Sequence, residues 1–159
     1  KFNLPKCRIS DKKGGFLKYD FSFSGLKTAV LRLVEKINLD GKNVPVPDIA
    51  ASFERVVAEV LVERTLRCAI DHGLDNVVLV GGVAANNTLR KMMIREASRK
   101  SIKVHLAPIS LCTDNAAMIG AAALFRLNFK NHQSSLELGV SGRLSIDQAT
   151  SLYEINPPF

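Results

Sequence analysis

Two glycines, an asparagine and an aspartate are the residues whose types and spacing could hold a charged small molecule. Gly81 and Gly82 follow directly on Val77, Val78, Leu79 and Val80 and remove two Cβ atoms where an apolar run ends. Backbone there can turn sharply or lie close against a ligand. Asn86 or Asn87 then serves as N-cap before Leu89, Met92, Met93 and Ala97, whose spacing marks one apolar helix face. A helix begun there aims its free N–H groups back at the glycine turn, which favours an anion, phosphate in particular. Asp114 stands in Thr113-Asp114-Asn115 ahead of an alanine-rich stretch, and any of the three can cap a helix. Ligands of open α/β sheets bind at the carboxyl edge of the strands, so Asp114, in a loop after a parallel strand, could face the same crevice as the glycine turn. A turn that only needs glycine and an aspartate that only caps are the plainer alternatives. The four residues together outline an anion or nucleotide crevice bordered by Gly81, Gly82, Asn86 and Asp114.

Such a crevice needs a βα unit to hold it. Residues 77–80 are consecutively apolar, three of them β-branched, and predict a central strand buried on both faces of a parallel sheet. Residues 102–107, IKVHLA, alternate and end at Pro108, predicting a second strand. Strand, helix and strand in one short span make a crossover, which requires parallel pairing. Upstream, the longest helix opens at Asp48, carries a wide stripe from Ile49 through Val56, Val60 and Leu66 to Ile70, and stops at Gly73. It packs on the sheet, and His72 in its last turn suits the helix dipole. Residues 26–37 predict an amphipathic helix through Leu26, Val30, Leu33 and Ile37. Tyr19, Phe21 and Phe23 alternate with polar residues and predict a short strand ended by Gly25.

The remaining segments are connective. Residues 1–18 read as an irregular lead-in and 38–47 as a loop, while 111–127 hold a helix, capped from residues 113–115, whose alanines and Gly120 allow close packing. The tail from residue 131 has turns at Gly139 and Gly142 and a short helix near Ser145 whose capping box ends at Gln148. Neither a repeat nor a linker interrupts the chain, so residues 1–159 are expected to be one α/β domain, mainly parallel sheet with flanking helices.

Composition narrows the classes. A hydrophobic content of 47% over 159 residues supports a globular core. No apolar stretch approaches the roughly 20 residues that span a bilayer, and Lys1-Phe2-Asn3 resembles no signal peptide. Cys7, Cys68 and Cys112 have neither disulfide-framework nor Cys-x-x-Cys spacing. A cytoplasmic protein with no membrane partner is expected. The excess of 22 Lys+Arg over 15 Asp+Glu, a net +7, permits an anionic partner such as RNA. His72, His105 and His132 are too dispersed for a self-contained zinc hydrolase, and HExxH, GxGxxG, a Walker lysine and a Gly-x-Ser-x-Gly elbow are all missing.

Three segments in register, DFSFSGLKTA (20–29), GGVAANNTLR (81–90) and CTDNAAMIGAAA (112–123), resemble the carboxyl-terminal half of the TsaD family. These are the tRNA N6-adenosine threonylcarbamoyltransferases once labelled glycoproteases or O-sialoglycoprotein endopeptidases. The resemblance covers nearly the whole chain and implies one lobe of an actin-like ATPase (ASKHA) fold, with nucleotide bound between two lobes. It implies transfer of the threonylcarbamoyl group from threonylcarbamoyl-AMP to N6 of the adenosine adjacent to the tRNA anticodon, with AMP leaving. By resemblance, Asp114 matches the aspartate that binds an iron or zinc ion, Asn86 matches the asparagine that contacts the adenylate, and Gly81 and Gly82 form the adjoining phosphate turn. A carboxylate suits a divalent ion, and such an ion can polarise a carbonyl under attack. The implied partners are tRNA, threonylcarbamoyl-AMP, a TsaB-like dimerisation partner, a TsaE-like ATPase and the chain's own amino-terminal lobe.

The family's other metal ligands, two histidines on one helix, belong to the half that precedes this sequence. One carboxylate does not make a site where three or four protein ligands are usual, so the chain alone is expected to be catalytically incomplete. Lys91, Arg95 and Arg99 recur every four positions, with Lys103 beyond, and either meet tRNA phosphates or form a solvated helix face. The competing readings are an actin-like ATPase or sugar-kinase relative and a non-catalytic dimerisation module of the same fold. Peptidase activity has no residue behind it.

Overall fold

The widest apolar stripe in the sequence becomes the helix on which residues 1–114 pack. The computed structural model describes residues 1–6, 8–11 and 14–129, together with 137, 139, 142, 143 and 145. Two compact units divide at Asp114, Lys1–Asp114 and Asn115–Phe159. In the first, helix α1 spans Ser24–Leu39 and helix α2 Val46–Asp71. Strand β1 (Asn76–Leu79), helix α3 (Asn87–Ser98) and strand β2 (Lys103–Leu106) follow. The second unit contains helix α4, Ala116–Phe129.

Helix α2 starts with proline in its first turn and Asp48 beside the positive end of its dipole. It ends where Gly73 takes φ +64°, with Gly73 N–H donating to Ile70 O (3.1 Å) and Leu74 N–H to Ala69 O (2.8 Å). A Cβ would strain that left-handed cap. Two stripes of α2 face two cores. Ala58, Val62, Leu66 and Ala69 join Val77, Leu89, Met93, Ala97 and Ile102 in one. Val56 and Val60 join Leu26 of α1 and Leu4 of the lead-in in the other. The lead-in is therefore part of the core, and Ser52, buried in α2, accepts from Phe2 N–H (3.0 Å) while donating to Asp48 O (2.7 Å).

The strand expected at residues 19–24 is absent. The segment is irregular, the Phe21 and Phe23 rings meet at a tilt of 55° with centroids 5.2 Å apart, and Ser24, with Gly25 next to it, already opens α1. Alternation gives a strand one face, but a strand also needs a neighbour for its backbone groups, and among the described residues none lies alongside. Tyr19 instead donates to Asp71 Oδ2 (3.1 Å), which also receives Lys18 Nζ (2.7 Å) and Arg67 Nε (3.1 Å). The Lys18 ammonium first, then the Tyr19 hydroxyl and Arg67, hold the Asp71 carboxyl below the usual carboxylate range, and Asp71 raises Lys18 in return. A depressed carboxyl stabilises the fold above its unfolded pKa and ceases to as pH falls through its folded value. The Tm difference between wild type and Asp71→Asn is therefore expected to be largest near neutral pH and to close as the pH drops below 3.8. A difference that persists unchanged at pH 2 contradicts this account.

β1 and β2 pair in parallel, Asn76 opposite Lys103 and Leu79 opposite Leu106, with α3 as the crossover. Burial on both faces is not realised. Val77 is buried, whereas Val78 is 66% and Val80 63% exposed, and among the described residues β1 pairs with β2 alone and is an edge, not a centre. Within Lys1–Asp114, α2 and α3 pack on one face, so only side chains pointing that way are covered. In α4, Asn115 Oδ1 accepts from Met118 N–H (2.9 Å). No helix among the described residues is long and apolar enough to cross a membrane. The capping box ending at Gln148 lies outside the described residues, as does Cys7.

Candidate functional site

Parallel pairing sends both strands out at the same edge. Past Leu79 the chain enters Val80, Gly81 and Gly82; past Leu106 it enters the loop that reaches Asp114. The glycine turn and the loop that leads to Asp114 thus leave from the same carboxyl edge, where ligands of such sheets gather.

Gly81 has φ +88° and ψ 169°, a conformation essentially reserved for glycine. Gly82 then opens a 3-10 turn, Gly82–Ala85, pinned by the buried Ala84 and closed by Ala84 N–H to Gly81 O (2.9 Å) and Asn86 N–H to Val83 O (3.1 Å). The helix does not spring directly from the glycines; one tight turn intervenes. Of the two asparagines, Asn86 is the cap, its Oδ1 accepting from Leu89 N–H (2.8 Å). Its Nδ2 donates to Glu54 Oε1 of α2 (2.7 Å), which fixes the amide's orientation. Asn86→Ala should therefore cost about 1 kcal/mol in chemical denaturation through loss of the cap. Asn86→Asp keeps the acceptor but sets a carboxylate against Glu54, so it should be no more stable than the alanine variant at pH 7. An aspartate variant as stable as wild type at pH 7 would show that the Glu54 contact is not formed.

The second loop runs through a 3-10 turn, Ile109–Leu111, to the buried Cys112, whose Sγ lies 3.4 Å from Pro108 O. The capping reading of Asp114 does not hold. Asn115, the residue immediately before α4, supplies the cap, and Asp114 is one position too early for that geometry. Asp114 is exposed and makes no hydrogen bond or ion pair among the described residues.

Two further residues join these loops without having been singled out from the sequence. Glu54 orients Asn86 from 32 positions away. Arg90, half-buried on α3, donates from Nη1 to Ala84 O (2.9 Å) and from Nη2 to Ala107 O (2.9 Å). Neither belongs to an apolar periodicity, the signal that located the helices, although GGVAANNTLR ends on Arg90.

A cleft of about 290 Å³ opens beside Asn86, walled by Phe53, Glu54, Val57, Leu61 and Val83. A larger cleft, about 630 Å³, lies elsewhere, between α2, α3 and the lead-in. Its cations are largely engaged: Lys6 with Glu63 (3.0 Å), Arg67 with Asp71, and Arg95 with Glu96 (2.9 Å). Lys6 holds Glu63, and Arg95 with Arg99 holds Glu96, below the ordinary carboxylate range. Two of the three basic residues in the α3 stripe are thereby shared with one carboxylate, which is how a solvated helix face is built.

For a metal ion the fit is partial. A free carboxylate at the crevice edge is a suitable donor, but the described residues contain no cluster of three His, Cys, Asp or Glu side chains. These residues alone do not make a metal centre.

The family model described as TsaD, tRNA N6-adenosine threonylcarbamoyltransferase, matches residues 1–121. Proteins named tRNA N6-adenosine threonylcarbamoyltransferase from Prochlorococcus marinus strains MIT 9312 and MIT 9215 are 88% and 86% identical over all 159 residues, and that from strain NATL1A is 60% identical. The chain spans 45% of the length of each of these relatives. With a match over its first 121 residues that takes in both crevice loops and the start of α4, the chain belongs to the TsaD family.

Proposed function

We propose that this chain forms one wall of the adenylate crevice in an enzyme that transfers the threonylcarbamoyl group from threonylcarbamoyl-AMP to N6 of the adenosine adjacent to the tRNA anticodon. The observation that carries the reading is the common edge. The parallel β1–β2 register brings the Gly81-Gly82 bend and the Asp114 loop out side by side. Gly81 turns the chain and Gly82 leaves room for an anionic group to approach backbone. Asn86, held by Leu89 N–H and Glu54, keeps one amide hydrogen and one lone pair free for the adenylate. Asp114 is proposed as one ligand of an iron or zinc ion, the other ligands lying in the part of the protein that this chain does not span.

The same reading treats residues 1–159 as the carboxyl-terminal lobe, completed by an amino-terminal lobe. Substrate tRNA follows from the names of the relatives. A TsaB-like dimerisation partner and a TsaE-like ATPase rest on the family resemblance alone. A cytoplasmic setting is supported by the free Cys68 and Cys112.

The test is to supply the full-length protein with threonylcarbamoyl-AMP and unmodified tRNA and to measure the modified nucleoside and AMP together. One AMP per nucleoside formed is expected. Phosphoryl transfer to a small alcohol would favour the sugar-kinase reading, and a folded protein that only dimerises would favour the scaffold module. Residues 1–159 alone should be inactive; turnover by them would overturn the claim that the chain is an incomplete half.

A further inference from the structure

We propose that Arg90 is a positioning residue that locks the two crevice loops to one another and so sets the distance between the glycine turn and Asp114. The proposal rests on the reading of that crevice as the reaction site. Arg90 projects from α3, the crossover helix, and its two terminal nitrogens reach different loops. Nη1 donates to Ala84 O in the turn after Gly82, and Nη2 donates to Ala107 O, the first residue beyond β2, each at 2.9 Å. Nη1 is also 3.8 Å from the sulfur of Cys112, two residues ahead of Asp114. Arg90 makes no ion pair among the described residues, so its charge is spent on neutral backbone carbonyls. Hydrogen bonds from a charged donor are about twice as strong as neutral ones, and a planar fork holds two acceptors in fixed relation. Lysine offers a point charge and cannot reproduce that fork. A shift of about 1 Å between reacting groups is enough to slow a reaction roughly a hundredfold, so a brace between loops acts on rate without touching substrate.

The experiment compares full-length wild type with Arg90→Lys and Arg90→Gln, both of which retain most of the aliphatic stem. Amide hydrogen exchange is followed in residues 81–86 and 107–114, with α2 as the internal reference, alongside kcat and KM for threonylcarbamoyl transfer. Exchange is expected to rise about tenfold or more in both loops together, in both variants, with α2 unchanged. The kcat should fall about tenfold or more at temperatures well below Tm, and lysine, despite its charge, should not rescue it. Exchange that rises in one loop only, or in neither, overturns the brace, as does a lowered Tm with kcat intact. If Arg90→Gln does not fold, Arg90→Lys decides alone. If wild type makes no modified nucleoside, the exchange comparison still decides the brace, and it is the functional reading that has failed.

Discussion

Asp114→Ala in the full-length protein is expected to reduce threonylcarbamoyl transfer at least about a hundredfold while leaving the melting temperature where it was. The separation of the two effects is the informative part. Most carboxylates that a fold retains near a helix start are caps or ion-pair partners, and losing them lowers stability and activity together. Asp114 is neither: Asn115 holds the α4 terminus through Met118 N–H, and the Asp114 carboxylate is exposed with no partner among the described residues. Exposed substitutions of that kind stay within about 0.5 kcal/mol. Asp114→Asn should fail almost as badly as alanine, because it keeps the shape and loses the charge. Asn115→Ala is the complementary control, costing about 1 kcal/mol through the cap while sparing the carboxylate. Activity of Asp114→Ala within threefold of wild type would remove this residue from the site.

The sequence revealed the βαβ unit because its signals are periodic. Leu89, Met93 and Ala97 were spaced for one helix face and are all buried, and IKVHLA alternated and is a strand. The edge shared by the glycine turn and Asp114 followed from parallel pairing. What stayed hidden depends on partners distant along the chain. Alternation in YDFSFS indicates a face but does not supply a neighbouring strand. Leu4 sits in a segment with no pattern, and its burial comes from α1 and α2 closing over it. Val78 and Val80 have the composition of a doubly covered strand, yet α2 and α3 pack on one side only. Arg90 stands outside the apolar periodicity and only closes GGVAANNTLR; its contacts are set by carbonyls 6 and 17 positions away. Short motifs pointed to the candidate crevice, and side-chain-to-backbone bonds that no pattern encodes hold its loops in shape.

The glycine pair offers the sharpest division between shaping a site and contacting its ligand. Gly81→Ala is expected to cost about 1–3 kcal/mol, because φ +88° with ψ 169° excludes a side chain on backbone grounds alone. No crowding adds to this, since a Cβ at Gly81 would meet no atom within 4 Å. Gly82 differs in one respect. A Cβ there is equally unobstructed, but its φ is not positive, so alanine fits and, by restricting the unfolded chain, should stabilise by about 0.4–1 kcal/mol. If an anionic group approaches the backbone at Gly82, the added methyl occupies its space, and Gly82→Ala should bind AMP at least about tenfold more weakly although it unfolds at higher denaturant. Greater stability combined with poorer binding cannot come from a damaged fold. Unchanged AMP affinity in Gly82→Ala would mean that the second glycine serves only the turn. Wild-type stability in Gly81→Ala would mean that the bend itself is formed differently.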